Sequence, residues 1–219
     1  MTTPYPLRTA HALLLWVSLM GMLAVGGCSA LSPSKAVPPQ FYALQSLPTP
    51  LLPPAAIAPG HSLPTLIVNP PHAAPGFDSA RIIYVQSANQ LAYFAHNEWV
   101  EPPARMLGPL LVAAIENTHA FGAVVLMPAS ATGELRLNTE LVRLQQNFQT
   151  TPSRVQVALR VHLIDERTRK VLHWQEFQAD VASSSETPQG GVAAANIAVQ
   201  KVLAEAAAFL STRATTPRE

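Results

Sequence analysis

Between positions 135 and 181 apolar and polar residues alternate over long stretches, and that period of two predicts strands with one buried face. Val155, Val157, Leu159, Val161 and Leu163 take every second position, with Gln156, Ala158, Arg160 and His162 between them. Val171 to Val181 is the predicted partner strand, and Glu166 to Lys170 the loop between the two. Requiring apolar residues to share a face sets Val155 opposite Val181, Val157 opposite Ala179 and Leu159 opposite Phe177. The same register sets Arg160 opposite Glu176 and His162 opposite Trp174 on the other face. Upstream, Leu135, Leu137 and Leu141 keep one parity while Leu144 and Phe148 keep the other. A long strand whose facing switches near Val142, through a β-bulge, accounts for both.

Elsewhere the pattern is shorter but still readable. Phe41-Tyr42-Ala43-Leu44 and Leu66-Ile67-Val68 predict short strands, the second ended by Asn69-Pro70-Pro71, and Gly76-Phe77-Asp78 marks a turn. Arg81 to Gln86 and Leu91 to Ala95 predict a hairpin closed by Ser87-Ala88-Asn89-Gln90. After Glu101-Pro102-Pro103, residues Met106, Leu107, Leu110, Leu111, Ala114, Ile115 and Thr118 recur at helical spacing, with a kink or restart expected at Gly108-Pro109. Phe121-Gly122 ends that helix and Ala123 to Met127 reads as another strand. Val192, Ala195, Val199, Val202, Leu203, Ala206, Phe209 and Leu210 predict a final helix after Gly190-Gly191, with a frayed polar tail from Thr212. The sum is an α+β domain over 41–212, a mostly antiparallel sheet with two main helices packed on one face.

The N-terminal region follows a different logic. Arg8 and His11 precede an apolar run, Ala12 to Val25, too short to span a bilayer comfortably. Val25-Gly26-Gly27-Cys28 closes it and contains the single cysteine of the chain. Small residues directly before a cysteine resemble the lipobox of bacterial lipoproteins, which implies cleavage between Gly27 and Cys28 and transfer of diacylglycerol to the sulfur, with further acylation by chains such as palmitate. The alternative is an ordinary secretory signal followed by a buried cysteine. Residues 1–27 are therefore expected to be a signal peptide and 28–40 a lipidated tether carrying Pro33, Pro38 and Pro39. Several acyl chains hold a protein at a membrane firmly where one does not. The segment Leu47 to Pro64 has six prolines and reads as an extended loop, either a surface insertion or a docking segment.

Composition excludes more than it assigns. With Lys+Arg 14 against Asp+Glu 13, and basic residues scattered singly from Arg81 to Arg218, the footprint of a nucleic-acid binder is missing. Seven histidines show no HxH or HExxH spacing, so no metal or cofactor is assigned. No GxSxG or phosphate-cradling glycine loop appears, and no catalytic residues are assigned. Tyr84, Tyr93, Phe94 and Trp99 concentrate aromatic surface that suits a lipid- or partner-binding face, or equally a core.

The order of these pieces resembles the ABC-type transport auxiliary lipoproteins, which include the paraquat-inducible protein C type. The resemblance is carried by the lipobox, Phe41-Tyr42-Ala43-Leu44, Arg81-Ile82-Ile83-Tyr84, Leu91-Ala92-Tyr93-Phe94, and Trp99 followed by Pro102-Pro103 and Met106-Leu107. It extends through the Ile164-Asp165 and Thr168 hairpin and the alanine-rich final helix. The long proline-rich insert and Gly108-Pro109 depart from the family plan. The resemblance implies a non-catalytic lipoprotein at the periplasmic face of the bacterial outer membrane. Its implied partners are an MCE-domain substrate-binding protein and the associated ABC permease and ATPase, in a system moving lipids or other hydrophobic molecules; whether copies form a homo-oligomer is left open. Two other readings stand beside it: a lipid carrier acting alone, which needs a sizeable apolar cavity, and a lipid-anchored hydrolase, which needs a converging catalytic set.

Overall fold

The computed structural model describes residues 37–45 and 63–214. By its contacts the chain divides after Pro38, and the account below concerns the unit Pro39–Glu219. Residues 1–36, with the signal and lipobox expectations, and most of the proline-rich insert lie outside the described residues.

The alternating stretch forms a three-stranded meander of β7 (Leu135–Asn147), β8 (Arg154–Asp165) and β9 (Val171–Ala182). All five residue pairs expected between β8 and β9 are present, among them Leu159 opposite Phe177 and His162 opposite Trp174. In β7 the pairing with β8 slips between Leu141 and Arg143. The bulge at Val142 moves the buried set from Leu135, Leu137, Thr139 and Leu141 to Leu144 and Gln146. Without it, Arg143, Gln145 and Asn147 would face the core.

The other edge of β7 is shared by three short strands in succession, all parallel to it. Leu66–Val68 of β2 (Thr65–Val68) lies beside Leu135–Leu137, β3 (His72–Ala73) beside Glu140 and Leu141, and the end of β4 (Arg81–Val85) beside Gln146 and Asn147. From β2 the sheet continues to β6 (Ala123–Leu126), again parallel; from β4 it continues to β5 (Leu91–Trp99), antiparallel, and then to β1 (Gln40–Tyr42), parallel. The nine strands thus form one mixed sheet. This corrects the expectation of a mostly antiparallel one: β1, β2 and β3 are too short to declare a direction, and their partners lie far away in sequence.

Two helices pack side by side against the sheet and share one core with it, α1 (Pro103–Glu116) over β3 and β6 and α2 (Pro188–Ala214) over β8 and β9. α1 does not restart at Gly108-Pro109. Gly108 is buried, and a Cβ there would sit 3.4 Å from both Leu126 and Pro71, so the residue serves close packing against β6. Pro109 costs the Arg105 carbonyl its helical partner, and both residues lie on the exposed side of the helix. α2 begins earlier than expected and takes in Gly190-Gly191. Thr187 caps it, its hydroxyl accepting the Gly190 N–H at 3.2 Å, and Pro188 takes the first helical position. It also runs past Thr212 to Ala214, closed by Arg213, whose guanidinium lies 3.7 Å over the Phe209 ring and donates to the Phe209 carbonyl. By length and apolarity α2 could cross a bilayer, but half of its most apolar window is buried against the domain, with Ala198, Val202, Ala206 and Leu210 at the centre.

The helix start is held close to the end of the meander. Gln146 donates to the Ser153 hydroxyl at 2.9 Å, Ser183 N–H donates to the Ser153 carbonyl, and Ser153 N–H donates to Glu186. A Cβ at Gly190 would collide with the Ser185 carbonyl and one at Gly191 with the Gln146 carboxamide. These contacts explain two glycines in a helix, which propensity alone disfavours.

The sheet face away from the helices is an ion ladder. Arg160 joins Glu140 at 2.9 Å and Glu176 at 2.8 Å, Arg154 pairs with Asp180, and Arg136 grips Glu166 through two nitrogens at 2.6 and 2.8 Å. The hydrogen bond from Arg136 holds the Glu166 carboxyl below the usual range. Hydrogen bonds from Gln178 and then Arg160 do the same for Glu176.

Gly190→Ala is expected to lower stability by about 1–3 kcal/mol although alanine is the better helix former. A chemical-denaturation midpoint equal to or above that of the wild type would show that the helix start is not pressed against Ser185. Because the Glu166 and Glu176 carboxyls are lowered on folding, their contribution is complete above the ordinary carboxylate range and is lost as pH falls through the lowered values. Stability should therefore decline on acidification, and a Glu166→Gln/Glu176→Gln variant should decline less steeply. Parallel pH profiles would refute that assignment.

Candidate anchor and docking surface

The N-terminal segment enters the fold at a defined edge. β1 pairs with β5 from Gln40 opposite Asn97 to Tyr42 opposite Trp99. The Val100 N–H closes the junction on the Tyr42 carbonyl at 2.8 Å. Beyond β1 the chain is clamped along α2. The Gln45 N–H donates to Asn196 Oδ1 at 2.7 Å, Asn196 Nδ2 donates to the Ala43 carbonyl at 3.5 Å, and Gln200 donates to the Gln45 carbonyl at 3.4 Å. Leu44 is buried between these polar ties. A pull on the residues before Gln40 would therefore be borne by the sheet and α2 together, rather than by a loose arm.

The four aromatic residues singled out in the sequence do not form one surface. Trp99, 3% exposed, belongs to the core, with its backbone N–H on the Ala80 carbonyl at 2.7 Å. Tyr84 and Phe94 share one face of the β4–β5 hairpin and are half-buried. They build a three-ring cluster with Phe148, with centroids 4.6 Å apart for Tyr84–Phe94 and 5.8 and 6.3 Å for their contacts to Phe148. Tyr93 pairs with Ile83 on the opposite face and is exposed, and the Arg81 guanidinium lies 4.0 Å over its ring. Leu91 on the same strand and Phe41 on β1 are exposed as well. Sequence reasoning missed Phe41 as a surface residue because a lone aromatic in a three-residue strand carries no facing signal.

One small pocket lies near this hairpin. A cavity of about 10 Å³, the size of one water, lies between Ile82, Trp99, Leu144, Gln146, Gly191 and Val192. It does not approach the space an acyl chain needs. Among the described residues no three histidine, cysteine, aspartate or glutamate side chains come together as a metal site. Cys28 and Gly27 lie outside the described residues.

Comparison with solved structures shows the same fold at low identity. A crystal structure of a DUF330 family protein from Xanthomonas campestris superposes with a TM-score of 0.65 at 23% identity, covering 80% of this chain and 97% of that one. An uncharacterized protein of known crystal structure gives a TM-score of 0.59 at 14% identity, covering 81% of this chain and 99% of that one. Comparison with curated protein sequences found no match. The family model for the ABC-type transport auxiliary lipoprotein component matches residues 42–207, from the end of β1 through most of α2. On that match the chain belongs to the ABC-type transport auxiliary lipoprotein family.

Proposed function

We propose that this chain is the non-catalytic accessory lipoprotein of an MCE-domain and ABC-type intermembrane transport system. Cys28, acylated after cleavage at Gly27, anchors it to the periplasmic face of the outer membrane, and the domain docks on the periplasmic conduit through which lipids or other hydrophobic molecules pass. Membership of the transport auxiliary family carries the reading. The clamp of Ala43–Gln45 onto α2 supports it, because a tether that is to hold a partner near a membrane must join the domain firmly. Tyr93, Leu91 and Phe41, exposed around the β1–β5 edge, are the proposed partner contacts. Their apolar area needs a counterpart, and Arg81 keeps the Tyr93 ring in place until one arrives.

Three results are expected of protein expressed in a host with an outer membrane. Mass spectrometry of the mature N-terminus should find a triacylated Cys28, and Cys28→Ser should release the protein from the membrane fraction; a retained Met1 or an unmodified Cys28 would sink the anchor. The native protein should co-purify with an MCE-domain component. Tyr93→Ala should weaken that association about tenfold or more while leaving the unfolding free energy within about 0.5 kcal/mol of wild type. Co-purification unchanged by Tyr93→Ala would move the docking surface elsewhere.

A further inference from the structure

The tip of the β8–β9 hairpin separates its charges. Asp165 is buried, and its carboxylate accepts the Thr168 N–H at 2.7 Å and the Thr168 hydroxyl at 2.9 Å. Glu166 is taken by Arg136, with Arg169 3.2 Å away, and its N–H is tied to the Glu134 carbonyl. Glu134, beside the tip, accepts the Thr65 N–H at 2.7 Å. Asp165 therefore points into the fold and Glu166 is held by Arg136 and Arg169, which leaves Arg167 and Lys170 as the outward charges. Arg167, Arg169 and Lys170 are all exposed, and among the described residues neither Arg167 nor Lys170 takes part in an ion pair. These three fall within four consecutive residues, a local group that the even scatter of the other basic residues hides. Arg169 moreover sits at φ 60°, a left-handed position that glycine or asparagine occupies with less strain.

The next residues are apolar and uncovered. Val171 is 54% exposed, Leu172 41% and Trp174 63%, on a strand that pairs with β8 alone among the described residues. Trp174 stacks flat on His162, their centroids 6.4 Å apart and the rings at 23°, on the sheet face turned away from the helices. An exposed cationic turn followed at once by an exposed tryptophan, leucine and valine matches the chemistry of the bilayer interface: phosphate at the surface, glycerol and upper acyl carbons below.

We propose that the β8–β9 hairpin is a membrane-contacting element for an anionic phospholipid bilayer. Arg167, Arg169 and Lys170 meet lipid phosphates while Val171, Leu172 and Trp174 enter the interface. Trp174 lies about 13 Å along the strand from Lys170, so the hairpin leans with its outer face on the surface rather than standing on its tip. The proposal does not depend on acylation of Cys28, and its test omits the anchor so that either can fail alone.

The test uses the chain from position 28 onward carrying Cys28→Ser, with vesicles of phosphatidylcholine alone and of phosphatidylcholine with phosphatidylglycerol. Of its tryptophans Trp99 is in the core, so a change in emission reports Trp174. The expected result is flotation with anionic vesicles only, with a blue shift of emission that Trp174→Phe removes. Arg167→Gln/Arg169→Gln/Lys170→Gln should lower partitioning about a hundredfold, and Arg167→Gln/Lys170→Gln, which leaves the turn position untouched, about twentyfold. Equal binding to neutral vesicles, partitioning indifferent to the charge variants, or flotation without a Trp174 shift overturns the proposal. So does an emission shift that follows protein concentration and not lipid, which would assign the hairpin to a second copy of the chain.

Discussion

The fold turns on the edge of β7. Thirteen residues in one strand are more than any short strand can cover, and the chain meets the surplus by laying β2, β3 and β4 end to end along that edge while β8 runs the full length of the other. A strand this long on a twisted sheet must also keep one face over a compact core. The bulge at Val142 performs that task, returning Leu144 to the interior after four alternating residues have been buried ahead of it and sending Arg143 out. The two branches of the sheet lie on either side of this irregularity, β2 and β6 at one end, β4, β5 and β1 at the other.

From the branching follows the placement of everything functional. The end of β7 beyond the bulge carries the hairpin of Tyr84, Tyr93 and Phe94 and, through it, β1, where the N-terminal segment arrives. The same end holds the Gln146 cluster against which α2 starts, so the helix that clamps Ala43 and Gln45 is itself fixed by β7. The other end carries the β8–β9 tip. The two exposed apolar regions, around Tyr93 and around Trp174, therefore belong to opposite ends of one strand. In the proposed reading that arrangement would set a partner on one side and a bilayer on the other. The outer face of the meander carries the Arg136, Arg154 and Arg160 ion pairs. Exposed pairs of this kind add little stability singly, so their main effect is to keep that face solvated.

Around Gln146 the interior is closely packed. Alanine on the buried side of α2 lets the helix lie close to β8 and β9, and the space left near Gln146 holds no more than a water. The transport auxiliary role of the family fits a domain whose business is on its surface.

The amino-acid sequence by itself determined the meander, its register and its bulge, because consecutive strands joined by a short turn have few alternatives once apolar residues must share a face. It determined both helices for the same reason of period, and it carried the family resemblance, which is order and residue type rather than contact. Only tertiary structure decided the parallel pairings of β1, β2, β3 and β4, since strands of two to five residues carry no direction of their own. Only tertiary structure, too, decided that Gly108-Pro109 continues a helix and that Gly190-Gly191 begins one, because in both places the deciding contact belongs to a distant residue. The same holds for the site. Trp99 and Tyr93 look alike in sequence, and whether an aromatic ring meets core or solvent depends on what the far end of β7 brings to its strand.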